Sequence, residues 1–474
     1  MSPFVGSINK GVLRQYTVAL ISTIALFIGG TSIGWPNPVL PYLLSPDAPF
    51  PISRADITWV VSIIHIAFIL SSFPTGYVMD RFGRKKSLLF LSIFPLSSYI
   101  LTIFSTSSIM LCIARFLAGV WLGVIYTIVP MYLAEISEPQ IRGSLGNFTS
   151  LLTYTGTLFA YVIGSVVSYT NFAIILGTIP VIFIVCFAFM PESPYYYLMI
   201  KNPESAKKSL MWLREGDEEK ILGELAKISK AIDLEMEHKG NIKELFSTRG
   251  NRKALLITEV LSMNQKFAGT TAIIAFASVT LPEGALPSIG TDGCVIILGA
   301  ISVVSGALLM FIIDRVGRKS LLLCSCLGCS VALLLLTVWY YLDQNTTVDV
   351  TPYNYIPFYC LCFHSVMYCL ALGPIVNSIK GELFPSNVKA IASVITTIVL
   401  ALSSFFVNKI YLVLADSFGF YLDFLMFFVI TMIGAVFSLT VVVETKGKTL
   451  QDIQIELNGG KIIKDTQTSA GRVV

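Results

Sequence analysis

Charge is what this sequence has least of. Asp, Glu, Lys and Arg make up 13% of its 474 residues, where a soluble domain carries about 25%. With 54% of residues hydrophobic, a water-soluble fold would have nowhere to put its apolar surface. A Gly-x-x-x-x-Gly-Lys-Ser/Thr run is missing, which removes the common signature of nucleotide-driven work. Nine cysteines are scattered mostly through apolar stretches. Cys324, Cys326 and Cys329 fall inside one such stretch, where a free thiol behaves as a small hydrophobe, so neither a metal nor a redox centre is expected. The chain also lacks the short apolar core and small-residue cleavage site of a removable signal peptide. Its first apolar run reads as a signal anchor.

What is present is apolar length. A bilayer core asks for about 20 mainly apolar residues per helix, and such stretches recur over 16–43, 57–79, 87–105, 109–133, 148–168, 171–190, 254–281, 294–313, 320–342, 354–378, 390–414 and 420–443. They number twelve, in two groups of six. Cationic loops stay on the cytoplasmic side. Threading twelve spans with both termini inside puts 29 of the 33 Lys and Arg there, the exceptions being Arg54, Arg115, Lys266 and Lys409. The net charge of +4 therefore reflects sidedness and membrane lipid, and it gives no reason to expect a nucleic-acid partner. The sequon at Asn345 lies outside in this topology, where glycosylation is possible; the one at Asn147 lies inside.

Four units are expected: a six-helix bundle over 1–190, a cytoplasmic helical linker over 191–253, a second bundle over 254–443 and a cytoplasmic tail over 444–474. The linker is the one long polar stretch, and its apolar residues Ile221, Leu222, Leu225 and Ile228 have helical spacing. A solvated connector accounts for most of its charges; a latch across the two halves is the alternative. Internal repetition links the bundles. Asp80-Arg81-Phe82-Gly83-Arg84-Lys85 returns as Asp314-Arg315-Val316-Gly317-Arg318-Lys319, and Glu135 with Arg142 as Glu382 with Lys389. Pro191-Glu192-Ser193 is echoed by Glu444-Thr445-Lys446. Parallel repeats of this kind are one way in which secondary transporters are built.

Several motifs in order make the chain resemble the sugar porters of the major facilitator superfamily. They are Gly76 to Lys85, Arg115 with Gly119 and Gly123, Glu135 to Arg142-Gly143, Pro191-Glu192-Ser193-Pro194, Gln265-x-Phe267-x-Gly269, Asp314 to Arg318, Gly373-Pro374-Ile375, Gly381 to Pro385, and Glu444 to Gly447. Met211-Trp212-Leu213-Arg214 adds a resemblance to insect facilitated trehalose or glucose transporters. The resemblance implies an all-α membrane fold with twelve transmembrane helices in two bundles. It also implies a transporter, not an enzyme, working without a cofactor.

The charged loops suit a gate, because their acids go unexplained by sidedness alone. Asp80, Arg81, Arg84, Glu135 and Arg142 would form one cluster, and Asp314, Arg315, Arg318, Glu382 and Lys389 the other, with Glu444 alongside. Their ion pairs would exist when the inner side is shut and part when it opens. Arg115, early in segment four, either joins a gate or snorkels outward. Gly119 and Gly123 have the spacing that lets helices approach closely.

A neutral sugar needs amides, hydroxyls and an aromatic face near the midplane. The resemblance carries that role to Gln265. Beside it the family's second Gln is Lys266 and its Asn is Thr271; Ser150 stands for a segment-five Gln, and Asn377 for a Trp. Phe276 completes the candidates. Three roles fit Lys266: contact with an anionic solute, hydrogen bonding to sugar hydroxyls, or pairing with a carboxylate. Segment one has no acid between Tyr16 and Pro46, where coupled sugar porters carry an Asp, so facilitated diffusion is favoured. The expectation is a uniporter of trehalose or a hexose; a carrier of another, possibly anionic, solute and a non-transporting sugar sensor are the alternatives.

Overall fold

The computed structural model describes residues 10–138, 140–215, 218–237, 242–312, 316–446, 448 and 450–459, and the regular structure among these is helical. Among the described residues, ten helices are long and apolar enough to cross a membrane: Lys10–Leu43, Arg54–Phe82, Arg84–Ile103, Ser108–Ile136, Tyr169–Ala188, Gly290–Leu308, Arg318–Asn345, Thr351–Leu372, Val388–Phe418 and Phe420–Thr440. Segment five, Arg142–Val166, and segment seven, Arg249–Phe267 continued by Thr270–Thr280, complete the twelve. These two are the more polar ones, rich in Thr and Ser in one case and carrying Glu259, Asn264, Gln265 and Lys266 in the other. The protein is thus an all-α membrane protein of two six-helix bundles.

Local chemistry sets the ends and bends of these helices. Segment two starts at a capping box, in which Ser53 Oγ accepts from the Asp56 N–H at 3.1 Å and Asp56 Oδ2 accepts from the Ser53 N–H at 3.3 Å. Segment one bends at Trp35, ahead of Pro36. Segment seven breaks at Gly269, whose φ of +84° is open to glycine at little cost. The Phe427 ring lies 2.5 Å from where a Cβ would sit there. Segment ten passes through a π turn, Tyr368–Leu372, before Gly373-Pro374. The helix runs through Gly29 and Gly30 and ends at Gly34. A Cβ on Gly30 would stand 2.1 Å from the Thr153 carbonyl oxygen, so these positions serve close packing.

Within the first half, segment one packs on five and segment two on four; within the second, nine packs on twelve and seven on eleven. Between the halves, segment two meets eleven, five meets eight, and Pro36–Leu43 meets Thr270–Thr280. Linker helices Pro194–Met199 and Pro203–Arg214 lie against the first half, Glu218–Glu237 packs on those two helices, and Ile242–Ser247 lies against the second half. Ile221 and Leu225 are buried with Leu210, as their spacing suggests, whereas Leu222 is exposed. The tail helix Leu450–Asn458 packs on the start of segment seven.

Candidate functional site

The charged loops converge at one end of the bundle. Arg84, 2% exposed, places Nη2 2.8 Å from Glu135 Oε1 and Nη1 3.5 Å from Asp80. Glu192 sits under the loop, where Oε1 accepts from the backbone N–H of Arg84 at 2.9 Å and Oε2 from that of Lys85 at 3.0 Å. Burial pushes the Glu192 carboxyl above the ordinary range, against these backbone hydrogen bonds, which favour the charged form. In the second half, Glu444 accepts from the N–H of Arg318 at 2.9 Å and of Lys319 at 3.2 Å. Arg318 lies 3.5 Å from Glu382, whose other oxygen accepts from Thr445 Oγ1. Each cluster therefore ties helices within its own half.

Not every expected gate residue joins these clusters. Arg81 donates instead to the Tyr77 hydroxyl at 2.9 Å, and Lys389 to the Gly381 carbonyl at 3.2 Å. Asp314 and Arg315 lie outside the described residues, as does the side chain of Arg142. Arg115 departs from the snorkelling expectation. It is 4% exposed and stacks over Trp35 at 4.9 Å, because the bend of segment one brings that ring across its path to the surface.

At the opposite end the halves join. Asn37 Nδ2 donates to the Ile274 carbonyl at 3.1 Å, and Asn37 Oδ1 accepts from the Ser278 N–H at 2.8 Å. The amide thus bridges a carbonyl and an N–H four residues apart, an (i, i+4) pair of segment seven. The Tyr161 hydroxyl donates to the same Ile274 carbonyl at 2.8 Å. Beneath these bonds lies a cavity of about 30 Å³ lined by Asn37, Tyr154, Thr157, Tyr161, Ile274 and Ser302, among others. That volume suits about two water molecules, far less than a sugar.

The substrate candidates divide. Gln265 is buried with Nε2 bonded to the Gly373 carbonyl, while its Oε1 and the Thr271 hydroxyl are buried without a hydrogen-bond partner among the described residues. Buried polar atoms of this kind at a helix break have hydrogen-bonding capacity to spare. Lys266 flanks them, and none of the described residues makes a hydrogen bond or ion pair with its ammonium. Phe276 turns away from the cavity, stacked on Tyr411 at 5.4 Å. The helical period directs Ile273, Ile274 and Ala277 to the cavity and Phe276 to the core. Ser150 is exposed, one turn beyond the stripe Tyr154, Thr157 and Tyr161, and the Asn377 side chain lies outside the described residues. Asn345 is exposed at the end of segment nine far from the charged loops. Tyr154, Thr157 and Tyr161 were absent from the expected site; their helical stripe of polar residues was the signal that could have found them.

Two repeated bundles around a cavity of mixed polar and apolar lining, with one end joined and the charged loops at the other, define a membrane transporter of the major facilitator type. The family model "Sugar (and other) transporter" matches residues 5–457, and the chain belongs to that family. It is 29% identical to the facilitated trehalose transporter Tret1 of Bombyx mori, over 93% of this chain and 87% of that protein. It is also 29% identical to Tret1 of Drosophila grimshawi, over 94% of this chain but 48% of the longer relative. Among solved structures, the proton:xylose symporter XylE of E. coli, bound to 6-bromo-6-deoxy-D-glucose, superposes with a TM-score of 0.76 at 20% identity, over 95% of this chain and all of that one.

Proposed function

We propose that the protein is a facilitative carrier of a small neutral sugar, trehalose or a hexose, working by alternating access in the plasma membrane with both termini cytoplasmic. One observation carries the reading: a cavity lined by hydroxyls and an amide from both halves is sealed at one end by bonds that run from one half to the other. Since it is too small for a sugar, entry requires the halves to part. Positive-inside sidedness makes the charged-loop end cytoplasmic, so the joined end is the outer one and the arrangement faces inward. Gln265 and Thr271 would meet sugar hydroxyls. Its likeness to facilitated trehalose transporters supports trehalose, and the acid-free segment one supports uniport. Residues 1–190 and 254–443 would rock against each other, with Asn345 available for glycosylation on the outer face.

The test is uptake of radiolabelled trehalose and glucose into proteoliposomes, with and without a proton gradient. Equilibration without accumulation is expected; accumulation driven by the gradient would defeat uniport. A second reading, an anionic solute, is favoured by the unpartnered Lys266. Lys266→Gln separates the two, since an anion carrier loses uptake on that change while a sugar carrier keeps or improves it.

A further inference from the structure

Two of the four cations that break charge sidedness, Arg54 and Lys409, lie where segment two meets segment eleven near the outer end. Lys409 has no carboxylate within ion-pair distance among the described residues. Its ammonium instead donates to Thr58 Oγ1 at 2.7 Å and rests 4.0 Å from the centre of the Trp59 ring. About two turns farther along segment two, His65 meets Asn408 at 3.0 Å. Farther out, Arg54 meets Asp416 at 2.5 Å, with side chains 60% and 40% exposed.

The partners alternate along two helix stripes running in opposite directions, 54, 58 and 65 on segment two against 416, 409 and 408 on segment eleven. We infer that Lys409, clasped by Thr58 and Trp59, is a latch that holds the outer end shut. Both of these contacts cross between the halves, so they exist only while the halves meet there. In the outward-open state the ammonium regains water, but it loses both the ring and the hydroxyl. A contact made in one state alone shifts the equilibrium between states by its full free energy, and a cation over a Trp face is the stronger kind of cation–π contact. The Arg54–Asp416 pair is a solvent-screened surface bridge and adds little.

The latch rests on the alternating-access reading but is independent of the solute, so its test needs no substrate. Cells expressing the full chain with Ser302→Cys, which lines the cavity, are treated from outside with an impermeant maleimide; the chain without that cysteine is the blank. Lys409→Met is expected to raise the labelling rate about tenfold, while Lys409→Arg, which keeps the charge and the stacking, stays within about twofold of the parent. If Lys409→Met is not produced in folded form, Trp59→Leu carries the test, since Trp59 is 43% exposed and its loss leaves the core intact. A labelling rate in Lys409→Met, or in Trp59→Leu, equal to the parent's overturns the latch.

Discussion

The two charged loops repeat the same residues but not the same energetics. In the first half Arg84 and Glu135 are 2% and 8% exposed and meet at 2.8 Å; in the second, Arg318 and Glu382 are 17% and 28% exposed and meet at 3.5 Å. One is a buried pair that cannot lose a member cheaply, and the other a half-wet pair that water can replace. The clasp on the first helix of each half differs likewise. Segment one is held by the linker, where Arg14 Nη1 donates to the Trp212 carbonyl at 3.0 Å and Gln15 Nε2 to the Leu213 carbonyl at 3.4 Å. Segment seven is held by the tail helix, through Asn458 Oδ1 accepting from the Gly250 N–H at 2.7 Å. Sequence repetition thus conserves the pairing while burial decides cost: the first half is the stiffer body at the charged-loop end.

The sharpest way to break this comparison is to remove the acids one at a time. Glu135→Ala leaves the buried Arg84 with only the half-exposed Asp80 at 3.5 Å as counter-charge, and the expected loss is about 3 kcal/mol. Glu382→Ala should cost about 1 kcal/mol or less, because Arg318 is partly solvated. Chemical denaturation of the two variants in detergent measures both. Equal losses would mean that the halves are energetically equivalent after all.

Most of the fold was legible because it is written in features with long reach. Twenty-residue apolar runs need no partner to be read, and the Asp-Arg-x-Gly-Arg-Lys loops survive as strings. The site was harder. Asn37 sits 237 residues from Ile274, and nothing local to its Pro-Asn-Pro context announces that its amide will bridge two backbone groups of another helix. Phe276 looked like a sugar-stacking ring because residue type was visible and helical phase, set by the break at Gly269, was not. Arg115 was read as either a gate member or a surface-seeking cation, since the bend that brings Trp35 over it depends on packing between segments one and four. Glu192 was noticed as part of a motif, yet its work as an acceptor for the first N–H groups of segment three depends on a contact 108 residues away.

A smaller difference is expected at the loop glycines. Gly83 and Gly317 occupy equivalent places, and at each a Cβ would come within 2.3 Å of a carboxylate oxygen, of Glu192 or Glu444. Their backbones differ: φ is +94° at Gly83 and −66° at Gly317. Gly83→Ala therefore meets both the carboxylate and an unfavourable φ, adding about 1–3 kcal/mol of backbone strain. Gly317→Ala meets only a carboxylate that is able to turn aside. Thermal unfolding followed by tryptophan fluorescence should place Gly83→Ala clearly below Gly317→Ala, and the reverse order would show that loop strain is not stored in the first half.

The finest test concerns charge on the buried cap itself. Burial raises the Glu192 carboxyl above its ordinary value, so the folded state holds this proton more tightly than the unfolded chain does. The sign follows from linkage: the contribution is fully present below the unfolded value of about 4.3 and is lost as pH rises through the raised one. Stability owed to this group should therefore decline gently from acid toward neutral pH. Glu192→Gln, which keeps the shape without the titration, should flatten that portion of the profile. Gln retains one carbonyl oxygen to accept from the Arg84 and Lys85 N–H groups, so the variant stays folded at a cost near that of one charge-assisted hydrogen bond, about 1.5–3 kcal/mol. If the slope of unfolding midpoint against pH is unchanged in Glu192→Gln, the acid is held as firmly ionised as an exposed one, and the first half owes its stiffness to Arg84 and Glu135 alone.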